Sequence, residues 1–190
     1  MTMTPLLMAV GAGPARTVPD RAVGRADWAA WTDYFAENQA TQRVLEDRID
    51  WGLPVDLTER QQRRWVRSLQ RFQVGESGDG AHLLGGLQRG GESDLLPAAR
   101  AFIEEERGHA RLLRVLLARF GAAPIDAHWS DAAFVVARRS MGVATELAVI
   151  AVAEAVAVVY YGRLADAAPD PVIRGVASRI LADELGHLPF

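Results

Sequence analysis

Two Glu-x-x-His tetrapeptides, Glu106-Arg107-Gly108-His109 and Glu184-Leu185-Gly186-His187, stand 78 residues apart. A spacing of three puts both side chains on one face of a helix, so each tetrapeptide asks for a helix whose acid and imidazole point the same way. The neighbours repeat at the same offset: Ala99, Phe102, Ile103 and Glu105 correspond to Ala177, Ile180, Leu181 and Asp183. Such a pattern reads as an internal duplication. It reaches two further positions, because Glu76 and Glu154 are also 78 residues apart and each precedes its Glu-x-x-His by 30 residues.

From about residue 25 the chain carries helical periodicity and almost none of the alternation that marks strands. Five helical segments are predicted, over about 26–49, 58–87, 94–121, 131–166 and 170–190. The second opens on the capping box Thr58-x-x-Gln61, the third has Pro97 in its first turn and stops at Gly121, and the fifth opens on Asp170-Pro171. Glu76 lies about twelve residues before a turn near 88, and Glu106 about twelve after the restart near 94. At a rise of about 1.5 Å per residue both carboxylates fall about 18 Å from the turn, level with each other on antiparallel helices. The second half does the same around Ala167-Ala168-Pro169. Helix phase agrees: Trp65, Leu69 and Phe72 precede Glu76 by eleven, seven and four residues, as Ile173, Ala177 and Ile180 precede Glu184. In the acidic run Glu104-Glu105-Glu106, phase alone selects Glu106 for the interior. Gly75, Gly78 and Gly80 around Glu76 mark either a local distortion of the second helix or a break near Gly78. The expected fold is all-α: an antiparallel four-helix bundle with a long crossover and an additional N-terminal helix. The helical domain covers 23–190, its four-helix core 57–190, and a flexible arm covers 1–22.

Composition narrows the chemistry. There is no cysteine, and all 21 basic residues are arginine, which removes thiolate chemistry, Schiff-base catalysis and the phosphate-loop lysine. A net charge of −3 without a basic run speaks against nucleic acid. Gly11-Ala12-Gly13 imitates a dinucleotide loop, but Arg16 occupies the place of the third glycine. The amino terminus lacks the charged start of an export signal, so a cytoplasmic location is expected. Gly142–Tyr161 is as long and apolar as a bilayer span, yet Glu146 and Glu154 within it would each cost about 2.5 to 3.5 kcal/mol at bilayer depth. The expectation is therefore no membrane, with this stretch as the central helix of the bundle.

Four carboxylates and two histidines inside a helical core need counter-charge, which two divalent metal ions supply. Oxygen-rich ligation with one imidazole per ion suits iron or manganese, or a mixed pair, better than zinc. In this pattern the sequence resembles the ferritin-like diiron-carboxylate superfamily of bacterioferritin, rubrerythrin and the diiron oxygenases, over about residues 57–190. The resemblance implies two irons, with Glu76, Glu106 and His109 serving one half of the site and Glu154, Glu184 and His187 the other. Glu106 and Glu184 would bridge. Glu105 and Asp183 would hydrogen-bond the histidine of the opposite half. Glu146 is a rival ligand, but it lies about 12 Å from Glu154 along the helix and is expected to pair with an arginine or line a channel. His82 and His128 have no companions at ligand spacing. The chain ends three residues after His187, sooner than in the family, so either it is a truncated form or the first helix and a partner subunit, as in a homodimer, would cover the core. Without cysteine there is no rubredoxin-like module, and electrons would come from an external donor.

The implied activity is that of an oxidase or oxygenase that activates O2 or peroxide and oxidises a small organic substrate in a pocket beside Glu154. Ala151, Ala153, Ala155 and Ala157 leave room for it, with Tyr160, Tyr161 and Glu146 as pocket residues. Ferroxidase or peroxidase activity in iron handling is the alternative, and a metal-free structural bundle a third.

Overall fold

The computed structural model describes residues 27–126 and 142–190, together with Pro19 and Val136. The rest of the arm over 1–22, His128 and the opening of the fourth predicted segment lie outside the described residues. Among the described residues there are six helices and no strand: α1 (Trp28–Asp47), α2 (Glu59–Gly75), α3 (Ala81–Gly90), α4 (Leu96–Arg119), α5 (Val143–Ala167) and α6 (Pro171–His187).

The ends of the helices follow local chemistry. Asp27 accepts from the Ala30 amide to start α1, and Thr58 and Gln61 close a reciprocal capping box on α2. Asp170 accepts from the amides of Val172 and Ile173 at 2.9 and 3.0 Å, with Pro171 in the first turn of α6. The second predicted segment is two helices. α2 stops at Gly75 with Glu76 as its cap, and the chain restarts as α3 after Gly80, whose φ of 66° and close approach to Ile103 only glycine tolerates. Glu76 therefore stands at a helix end, and the even axial rise from the turn near 88 does not apply to it.

α4 is the axis of the packing, touching α1, α2, α3 and α6. Gln62 at the start of α2 donates to the Phe120 carbonyl at the end of α4, while Glu76 at the other end of α2 lies beside Glu106 and His109, so the two helices are antiparallel. Arg119 meets Asp170 at 3.0 Å at one end of the α4–α6 pair, while His187 meets Glu105 at the other, so these helices are antiparallel too. α5 and α6 form the most extensive helix pair through the short Ala168–Pro169 connection. α1 lies over α4 and α6. Tyr34 sits against Gly186, where any side chain would collide with its hydroxyl.

α5 does not occupy the centre expected for it. It buries a single stripe that includes Glu146, Glu154, Ala157 and Tyr161, while Val152, Val156 and Val159 are more than half exposed. Length and composition alone would let this helix cross a membrane. Glu146 and Glu154 lie on the buried stripe and the exposed face is largely aliphatic, which is why counting apolar residues misplaces it.

Candidate metal centre

Two apolar clusters leave a polar layer between them. One contains Leu69, Leu112, Leu113, Ile173 and Ile180, the other Trp31, Phe35, Leu83, Phe102 and Ile103. Along α4 the layer holds Glu105, Glu106 and His109; along α6 it holds Asp183, Glu184 and His187. Glu76 arrives from the end of α2 and Glu154 from the middle of α5. All of these except Glu106, which is half-buried, are buried.

The six side chains expected as ligands form two overlapping groups, Glu76–Glu106–His109–Glu184 and Glu106–Glu154–Glu184–His187, in each of which one donor atom per residue lies within 4.8 Å of the others. Glu106 and Glu184 belong to both. His109 Nδ1 is 3.3 Å from Glu106 and from Glu184, and His187 Nδ1 is 3.1 Å from Glu154 and 3.4 Å from Glu106. Both imidazoles thus turn Nδ1 inward. Their Nε2 atoms turn outward and cross over: His109 meets Asp183 at 2.9 Å and His187 meets Glu105 at 3.0 Å. A carboxylate behind each ring sets its tautomer and orientation.

The inner atoms are left unsatisfied. Both carboxylate oxygens of Glu184, Glu106 Oε1 and His109 Nδ1 are buried without a hydrogen-bond partner. Such atoms are costly unless something else meets them. A cluster of inward oxygens with one nitrogen per group is a donor set that could hold a metal ion, so the residues present fit metal ligation.

Without a cation, Glu76 and Glu154 are pushed toward the protonated form. Burial, followed by the charges of Glu106 and Glu184, pushes Glu76 well above the ordinary carboxylate range. Burial also takes Glu154 to about 8, against the bond from His187. Burial would lower both histidines, yet Glu106 and Asp183 around His109, and Glu105 and Glu154 around His187, hold their values well above normal. Glu184 shifts downward, because its two imidazole neighbours outweigh its burial.

Three contributors, Asn38, Gln42 and Arg179, had not been singled out from the sequence, and a fourth, Tyr161, had been expected in the pocket instead. Asn38 donates to Glu105 Oε1 at 2.9 Å and to Asp183 Oδ1 at 2.8 Å, and Gln42, one turn on, donates to Glu105 Oε1 and Asp183 Oδ2. α1 thereby bridges the two outer carboxylates. Arg179 pairs with Asp183 Oδ2 from one turn before it. Tyr161 donates its hydroxyl to Glu76 Oε1 at 2.7 Å. A trace of this is visible in the chain: Asn38 and Gln42 sit at i, i+4 in register with the apolar Trp31, Tyr34 and Phe35, where a polar residue is out of place.

A cavity of about 920 Å³ opens onto the inner carboxylates, with Glu76, Glu106, Glu154 and Glu184 among its lining residues. Leu83, Phe102, Ile103, Ile150 and Ala153 form apolar walls. The pocket residues expected from the sequence do not line it. Tyr161 is committed to Glu76, Tyr160 stacks on Phe72 and bonds Ser68, and Glu146 bonds His82 at 2.7 Å. Of the four alanines, Ala153 and Ala157 face the cavity, while Ala151 and Ala155 are exposed. The helical phase of α5 separates them.

No protein-family model, curated protein or solved structure matches the chain.

Proposed function

We propose that this chain is a ferritin-like diiron-carboxylate oxidoreductase, an oxidase or oxygenase of a small organic substrate. One observation carries the reading: six ligating side chains from four helices converge on buried, hydrogen-bond-orphaned carboxylate oxygens, and those carboxylates face a cavity. Glu106 and Glu184, shared by both groups, would bridge the ions, and His109 Nδ1 and His187 Nδ1 would each complete one position. Two bound irons, with electrons from an external donor, would supply the redox chemistry that activates O2 or peroxide. Glu105 and Asp183 hold the imidazoles from behind, and α1 closes that side to water through Asn38 and Gln42. Glu76 and Glu154 carry protons that metal binding would displace. The apolar walls would hold a hydrocarbon body against the site. That cavity favours an organic substrate over simple ferroxidase or peroxide scavenging, for which room for iron and oxygen suffices.

Anaerobic reconstitution with ferrous iron, elemental analysis and absorbance during exposure to O2 test the reading. About two irons per chain and a transient visible band support it. Absence of stoichiometric metal in the folded protein refutes it.

A further inference from the structure

The duplication makes the two halves of the site comparable position by position, and they differ in one direction. Asp183 Oδ2, which receives the His109 ring, also receives Arg179 and Gln42. Among the described residues Glu105 Oε2 receives only the His187 ring, its Asn38 and Gln42 bonds falling on the other oxygen. At the duplicated position of Arg179 stands Ala101, which brings no cation to Glu105. Likewise, Tyr161 occupies Glu76 Oε1, whereas its counterpart is Leu83, which has no hydroxyl to offer Glu154. Glu76 also sits at the end of α2 while Glu154 is held in mid-helix.

Each difference bears on how firmly an ion is held. A carboxylate that gives one oxygen wholly to an imidazole N–H makes that imidazole a stronger donor, and sharing the oxygen with a guanidinium weakens the effect. A carboxylate with one oxygen engaged by a phenol has only the other to offer. Resting on the metal-site reading above, we propose that the two metal positions are unequal: the one built on His187 and Glu154 fills first and holds its ion, and the one built on His109 and Glu76 fills second and releases it more readily. Arg179 and Tyr161 are the positioning residues that set the difference.

Titration of the metal-free protein with Co(II), followed by calorimetry and visible absorbance, tests this. Two steps separated by about 10-fold or more in affinity are expected, the size of effect that partners behind a ligand exert. His187→Ala removes the tight step; His109→Ala leaves one ion bound at the wild-type tight affinity. Tyr161→Phe and Arg179→Met strengthen the second step several-fold and leave the first unchanged, a gain that mere loss of packing does not produce. Circular dichroism establishes that each variant is folded, and if Arg179→Met does not fold, the histidine pair and Tyr161→Phe decide. Two ions of equal affinity, or loss of the tight step in His109→Ala, overturns the inequality while leaving the metal site standing. A folded wild-type protein that takes up no Co(II) overturns the site itself.

Discussion

Replacing Asn38 with alanine tests whether α1 is part of the candidate metal centre or only a cover over it. Asn38 is 5% exposed, and its amide bonds one oxygen of Glu105 and one of Asp183. In the variant Glu105 Oε1 keeps Gln42 at 2.7 Å, but Asp183 Oδ1 loses its side-chain donor. Hydrogen bonds to charged groups contribute about 1.5 to 3 kcal/mol each. With one acceptor still partnered and one stranded, the expected loss is about 3 kcal/mol. For a chain of this size that lowers Tm by about 6 to 12 °C. Asn38→Asp keeps the shape, removes the donors and brings a third carboxylate beside two others, so it should cost at least as much. Melting of the metal-free proteins by circular dichroism measures the loss, and a metal titration should show weakened binding at both positions, since both outer carboxylates lean on this side chain. A melting temperature within about 2 °C of wild type for both variants would mean that α1 does not hold the carboxylates behind the histidines.

Glu106→Ala removes a side chain common to both groups, and iron bound per chain should fall below a pair; two ions retained would contradict the ligand assignment. Removing the metals should also make stability depend on pH with a definite sign. Glu154, raised from 4.5 to about 8, and Glu76, also raised, contribute stability that is present below pH 4.5 and lost as pH rises through about 8. His109 and His187, raised as well, act in the same direction, and Glu184, lowered, matters only as pH falls below its ordinary 4.5. Urea midpoints of the metal-free protein should therefore drop between pH 6 and 8.5 while metal affinity climbs; a flat or rising midpoint would be inconsistent with buried, proton-holding acids. Gly186→Ala places a methyl group on the Tyr34 hydroxyl, and the overpacking should cost about 1 to 3 kcal/mol, read as a lower denaturation midpoint.

Much of the centre was legible because it is periodic. Glu106 with His109, and Glu184 with His187, share a helix face by spacing alone, and the 78-residue offset adds Glu76 and Glu154 without knowledge of how the helices pack. Capping residues likewise announce where α2 and α6 begin. Two readings of the fold needed repair. The glycines after Val74 signalled a disturbance but not its form, since backbone freedom permits both a kink and a break. The aliphatic run of α5 signalled burial, but a helix this apolar looks alike on every side, and only its neighbours decide which stripe turns inward.

What the sequence by itself determined is the set of inward-facing acids and imidazoles and the helical elements that carry them, because both follow from the 3.6-residue turn. What only the tertiary structure decided is everything that crosses between helices: Asn38 and Gln42 reaching Glu105 and Asp183, Tyr161 reaching Glu76, Glu146 finding His82, and the cavity above the carboxylates. Those contacts join residues 63 to 145 positions apart. No local periodicity encodes them, because they arise where helices separated along the chain are brought side by side.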